Sequence, residues 1–139
     1  MILFKPKGKE VFYLYPFAQD LQDKTTVYPF NADTIKLIVP KSVTCGNYRI
    51  GRLFDSDKFA PFYIGRVTDE PLSDRLIDHI SEYGTKAVCF DFASAISALD
   101  AYKQECHDYH SFIGDGYLQN DIHPAKPKGV NTMCPVCGQ

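Results

Sequence analysis

Apolar and polar positions alternate in two short runs, 47–54 and 61–67, and that period of two predicts a pair of strands. On the first run Tyr48, Ile50, Arg52 and Phe54 share one face; on the second Tyr63, Gly65 and Val67 do. Between them, Asp55-Ser56-Asp57-Lys58 predicts a hairpin tip. The period then changes. From Pro71 to Tyr83 the residues Leu72, Leu76, Ile77, Ile80 and Tyr83 form one helical stripe, with Asp74, Asp78, Ser81 and Glu82 opposite. Asp69 or Ser73 can cap this helix, Pro71 suits its first turn, and Gly84 ends it. The run from Lys86 to Phe92 predicts a third strand. A second helix spans roughly Ala95 to Phe112, burying Ala95, Ala98, Leu99, Tyr102, Cys106 and Tyr109 and turning Asp100, Gln104 and Asp108 to water. Gly114, Gly116, Pro124, Pro127 and Gly129 then predict a loop-like tail up to Cys134-Pro135-Val136-Cys137. Upstream, the basic, breaker-rich Lys5-Pro6-Lys7-Gly8-Lys9 precedes two strand-like runs, from Val11 to Tyr15 and from Thr34 to Val39. The expectation for residues 1–44 is an extension that adds a strand or loop packed on the core; a DNA-contacting arm or a dimer contact is the functional alternative.

A chain of 139 residues, 45% of them hydrophobic, fits a single domain with a modest core. Its net charge of −2 excludes a general polycation, so nucleic-acid binding needs a local basic patch. Arg49, Arg52, Arg66, Lys126 and Lys128 can supply one, with plain surface solvation as the competing explanation. No apolar run approaches a membrane span, and the N-terminus lacks the apolar stretch of a signal peptide. The expectation is a cytoplasmic protein with no membrane partner. There, five cysteines are thiols or metal ligands rather than disulfides.

Arg75 and His79 lie one turn apart on one margin of the first helix, and Glu105 lies on a margin of the second. Taken singly, Arg75 reads as a surface salt bridge with Asp78 or Glu82, and His79 as a satisfied imidazole. Their order along the chain changes that. Gly46-Asn47-Tyr48, a hairpin, Tyr63-Ile64-Gly65, Arg75-x-x-x-His79 and then Glu105 on a second helix resemble the GIY-YIG nuclease superfamily over residues 44–120 or so. Asn47 stands where that family's first triplet usually has an apolar residue. The resemblance implies an α+β fold, a small, mainly antiparallel sheet flanked by helices. It implies nuclease chemistry at Tyr48, Tyr63, Arg75, His79 and Glu105, with Asn120 as a further catalytic candidate or else a turn residue.

The residue types suit that chemistry. Hydrolysing a phosphodiester needs a base for water, positive charge for the phosphoryl oxygens and, usually, a metal for the leaving oxygen. Glu105 suits Mg²⁺ or Mn²⁺, and Arg75 a phosphate. Tyr48, or Tyr63 close behind it, can take the proton if Arg75, the metal or His79 acidifies the phenol.

Cys134-x-x-Cys137 is half of a zinc pattern, so the other ligands must lie upstream. Cys106 and His110, at i and i+4 on the helix face away from Glu105, complete a Cys₃His site; His123 is the alternative fourth ligand, and His107 points more toward water. Such a structural zinc would staple the tail, 114–139, to the second helix. A redox pair and inert thiols are the competing readings. The functional expectation is a metal-dependent DNA endonuclease. The alternatives are a non-catalytic DNA-binding or structural module, and a nuclease of RNA or repair intermediates. A homodimer is one way for a chain of this size to cut both strands.

Overall fold

The structure is a computed structural model that describes residues 7–16, 22–84, 88–114, 117–120, 122–129 and 131–139. Expectations placed on Lys5-Pro6, Lys86-Ala87 and Gly116 lie outside the described residues. The elements run β1 (Lys9–Tyr13), β2 (Lys24–Pro29), α1 (Ala32–Ile38), β3 (Gly46–Phe54), β4 (Lys58–Val67), α2 (Leu72–Asp78), α3 (Ile80–Tyr83), β5 (Val88–Ser94) and α4 (Ala98–Phe112).

The five strands close into a barrel in the order β1-β2-β5-β3-β4. This corrects the expected α+β fold, in which an open sheet is flanked by helices. The expected three-stranded core is present, with β3 between β4 and β5. The N-terminal residues add two strands to it. Strand β2 pairs antiparallel with β5 at Tyr28↔Phe90, β1 pairs antiparallel with β2, and β1 meets β4 in parallel at Phe12↔Lys58 and Tyr13↔Phe59. Both edges of the core are thereby joined, and closure removes the exposed edges an open sheet would carry. All five strands contribute to the cluster inside: Val11, Val27, Leu53, Phe59 and Cys89.

Helix α1 is a second correction, because Thr34 to Val39 read as a strand. The Asn31 side chain accepts from the Thr34 backbone N–H at 2.8 Å, a cap that starts a helix and buries Thr34 and Ile35. At the hairpin tip Asp55 and Ser56 take φ of 52° and 62°, the left-handed geometry that turns the chain. Further along β4, Ile50↔Tyr63 is followed by Gly51↔Pro61, so Phe62 is a bulge residue with no partner on β3. Both Phe62 and Tyr63 then reach the same outer cluster, which includes Tyr48, Ile50, Leu72 and Leu76 under α1 and α2.

The first long helix expected, Pro71 to Tyr83, is broken at His79. Its φ of −79° and ψ of −8° end α2 and begin α3, and its N–H bonds the Leu76 carbonyl at 3.1 Å. Neither Asp69 nor Ser73 caps α2: Pro71 holds the cap position, and no side chain bonds there. Helix α4 lies across β3 and β4, where Asn47 Nδ2 donates to the Ala101 carbonyl at 2.9 Å. The tail covers the remaining edge of β4 through Gln119 N–H to the Phe62 carbonyl, 2.6 Å.

Asp108 is not turned to water. It is buried and accepts from Arg49 at 2.7 Å, while Arg49 also donates to Asp91 at 2.7 Å. Tyr13 and Thr25 donate to Asp91 as well. Arg49 is therefore a core ion pair, not part of a surface track.

Candidate active site and metal centre

Tyr48 pairs across the hairpin with Gly65. A Cβ at Gly65 would stand 2.4 Å from the Tyr48 oxygen and 2.5 Å from its Cζ, so the glycine is the space in which the phenol lies. The break at His79 sets the imidazole on that phenol: Tyr48 Oη to His79 Nε2 is 2.9 Å. On the other side, His79 Nδ1 lies 3.4 Å from Glu82 Oε1. A carboxylate at Nδ1 favours the tautomer with its proton there, leaving Nε2 to accept from Tyr48. Tyr63 packs against both, stacked on Tyr48 with ring centroids 6.3 Å apart and tilted 54° against His79 at 4.7 Å. Arg75 is exposed, lies 3.8 Å from Glu70, and brings its guanidinium to the Tyr48 hydroxyl. Five residues from β3, β4, α2, the His79 junction and α3 thus converge on one point.

The electrostatics differ from the expected acidified phenol. Burial pushes Tyr48 up, the neighbouring Tyr63 adds to this, and Arg75 only partly opposes it. Burial likewise raises Tyr63, against Arg75. Burial lowers His79, with Glu82 pulling the other way. The resting state is a neutral phenol bonded to a neutral imidazole.

Glu105 comes from α4 and its field reaches both tyrosines. It is not a free carboxylate: Arg66 Nη1 bonds its Oε1. Burial raises Glu105, and Arg66 opposes that. Arg66 also donates through Nη2 to the Ala125 carbonyl at 2.6 Å and lies over the Tyr102 ring at 5.3 Å. Arg66, Val67, Thr68, Asp69, Glu70, Glu105 and Ala125 line a cleft of about 440 Å³. Asn120 is bonded to the backbone on both sides of its amide. It accepts from Ile64 N–H at 2.9 Å and donates to the Ile64 carbonyl at 2.8 Å, fixing the backbone next to Tyr63.

The second centre gathers as expected at the tail, with one exchange of ligand. His110, His123, Cys134 and Cys137 place their ligand atoms within 4.8 Å of one another. This His₂Cys₂ cluster could bind a metal such as zinc. Cys106, expected as a ligand, is instead 0% exposed and packs with Tyr102 and Cys134; burial pushes its thiol up to about 11. His123 takes its place. Its Nδ1 faces the Pro124 carbonyl at 3.0 Å, which leaves Nε2 for a metal, 3.4 Å from Cys137 Sγ.

Two observations test the fit. His110 Nε2 is buried with no hydrogen-bond partner, an atom that a metal would satisfy. Burial would raise the Cys134 thiol, but the backbone N–H groups of Cys137 and Val136, with His123 and Cys106, outweigh it and hold the thiol down to about 5. Both point to a thiolate-imidazole donor set suited to zinc. Gly138 N–H closes the turn onto the Cys134 carbonyl at 2.9 Å.

Glu82, Arg66 and Ala125 belong to these sites in roles the sequence did not suggest: Glu82 was expected on the polar face of the helix, Arg66 in a basic surface track, and Ala125 was not singled out. A glutamate three residues after a site histidine is the one local signal available; Arg66 and Ala125 carry none. A separate cavity of about 490 Å³, lined by Tyr13, Arg49, His107 and Asp108 among others, lies on the other flank of α4. Among the described residues no helix is long and apolar enough to cross a membrane. No protein-family model, curated protein or solved structure matches this chain, so its assignment rests on the residues themselves.

Proposed function

We propose that this chain is a metal-dependent DNA endonuclease that hydrolyses phosphodiester bonds with the side chains of the GIY-YIG nucleases, on a closed barrel. The observation that carries the reading is the Tyr48–His79 contact of 2.9 Å, with Arg75 at the same hydroxyl and Glu105 within electrostatic reach. Tyr48 donates its proton to His79 Nε2 as the phenolic oxygen takes a proton from the attacking water. Glu82 faces the imidazolium so formed, and Tyr63 holds the imidazole from its flank. Arg75 meets the developing charge on the phosphoryl oxygens. The oxygen chemistry of Glu105 fits a hard divalent ion, and with Oε1 taken by Arg66 its Oε2 would be the ligand. Bound there, Mg²⁺ or Mn²⁺ would stabilise the leaving oxygen as a Lewis acid. Zinc belongs to the tail cluster in a structural role. Thiol ligands of that kind suit a reducing compartment, which supports a cytoplasmic location.

Incubating supercoiled plasmid with the protein, with Mg²⁺ and with EDTA, tests the reading. Cleavage should require Mg²⁺ and disappear in Glu105→Gln, which keeps shape and removes charge; an E105Q variant cutting at the wild-type rate would exclude this site. A non-catalytic DNA-binding module is the second reading. What favours it is the Arg66 bond on Glu105 together with a Tyr48 only 1% exposed. Binding of duplex without any metal-dependent cleavage would establish it, and cleavage of RNA alone would redirect the substrate.

A further inference from the structure

Of the basic residues that could form a nucleic-acid track, the structure takes two into ion pairs and sets a third, exposed Arg52, against an aromatic ring. Arg49 is buried between Asp91 and Asp108, Arg66 is spent on Glu105 and Ala125, and Arg52 lies over the Phe62 ring at 5.3 Å. Lys126 and Lys128 remain. Both are exposed, and neither takes part in an ion pair among the described residues. They follow Ala125 directly, and Ala125 is a wall of the Glu105 cleft. That wall is held twice. Arg66 binds the Ala125 carbonyl, and two residues upstream His123 belongs to the His₂Cys₂ cluster, with Pro124 buried between. The lining of the cleft carries three carboxylates, Asp69, Glu70 and Glu105, so a polyanion needs cations beside it to approach.

We propose that the segment 122–129, anchored at His123 by the His₂Cys₂ cluster and at Ala125 by Arg66, is the substrate-gripping wall of the cleft, and that Lys126 and Lys128 bind phosphates of duplex DNA beside Glu105. This rests on the nuclease reading and names how its substrate is held. It also makes the tail metal a determinant of substrate affinity, since without it the lysines lose their fixed position.

The test is fluorescence anisotropy with a labelled 20-base-pair duplex, in the Glu105→Gln background so that nothing is cut, over a range of salt. Each phosphate contact contributes about 0.9 to the slope of log K against log salt. Lys126→Gln with Lys128→Gln should therefore flatten the slope by about 1.8, roughly a 12-fold difference in salt sensitivity between 50 and 200 mM. Lys36→Gln with Lys103→Gln removes equal charge elsewhere and should leave the slope unchanged; Lys103 lies about 160° around α4 from Glu105. Cys137→Ser, once metal analysis shows the zinc lost, should flatten the slope as the lysine pair does. An unchanged slope in the lysine variant, or a full slope in zinc-free C137S, overturns the proposal. Plasmid cleavage by the wild type separates the two levels. Cutting with no lysine effect sinks the wall alone, whereas a lysine effect without any cutting sinks the nuclease reading and leaves the wall.

Discussion

Gly65→Ala is the sharpest test of the site's geometry, because it needs no assumption about activity. The added methyl would stand 2.4 Å from Tyr48 Oη, 2.5 Å from Cζ and 3.0 Å from Cε1. Tyr48 is 1% exposed and cannot swing into solvent. It is also held at the hydroxyl by His79, so either the phenol or strand β4 must shift. Overpacking of this kind costs about 1–3 kcal/mol, against which an alanine gains up to about 1 kcal/mol in backbone entropy. The net loss should be about 1–2 kcal/mol in urea denaturation. The same substitution should be close to neutral in a Tyr48→Ala background, where the ring is gone. The coupling energy of that cycle should thus be at least about 1 kcal/mol, as for residues in direct contact. A G65A variant as stable as the wild type, or one equally destabilised with and without the Tyr48 ring, would falsify the placement of the phenol over Gly65 and with it the Tyr48–His79 contact.

Arg75→Ala should slow single-turnover plasmid cleavage by about 10²–10³, the usual cost of one transition-state donor, and His79→Ala should cost less because it acts through Tyr48; two equal, negligible effects would favour the binding module. Cys106→Ala should keep about one zinc per chain while His123→Ala loses it, and the reverse result in metal analysis would restore the ligand set expected from the helix. Stability should also depend on pH through His79. Burial lowers its pKa below the ordinary 6.5, so its contribution is full above that value and is lost as pH falls toward the folded pKa. His79→Gln should flatten the acid side of a stability-pH curve, and an unaltered curve would mean that the imidazole is not desolvated.

The parts of the fold that were legible are those written in a local period. The β3–β4 hairpin and α4 follow from alternation and from a helical stripe, with bounds shifted by a few residues. Barrel closure was not legible, because it depends on pairs such as Tyr13↔Phe59 and Tyr28↔Phe90, far apart in sequence. Strand β2 hides further, since Lys24-Thr25-Thr26 is polar and only Val27 is fully buried. The run from Thr34 to Val39 misled through its β-branched residues, which favour strands until an upstream asparagine caps a helix. Nor did any glycine or proline announce the break at His79, although that break is what turns the imidazole onto Tyr48.

At the sites, spacing identified residue types better than it identified partners. A helical wheel gives direction around the axis and says nothing of depth. Cys106 and His110 do lie on one side of α4, yet Cys106 points down among Tyr102 and Cys134 while His110 reaches the cluster. The same limit applies to the relation between the two sites. The wheel separates Glu105 from His110, but it contains only α4. Arg66 comes from β4, grips Glu105 with one nitrogen, and with another holds the Ala125 carbonyl two residues from His123 of the His₂Cys₂ cluster. The two centres are joined through a third element, by bonds between residues 39 and 59 positions apart. Loss of the tail metal should therefore be felt at Glu105 wherever Arg66 is intact, and should be felt much less once Arg66 is replaced by glutamine.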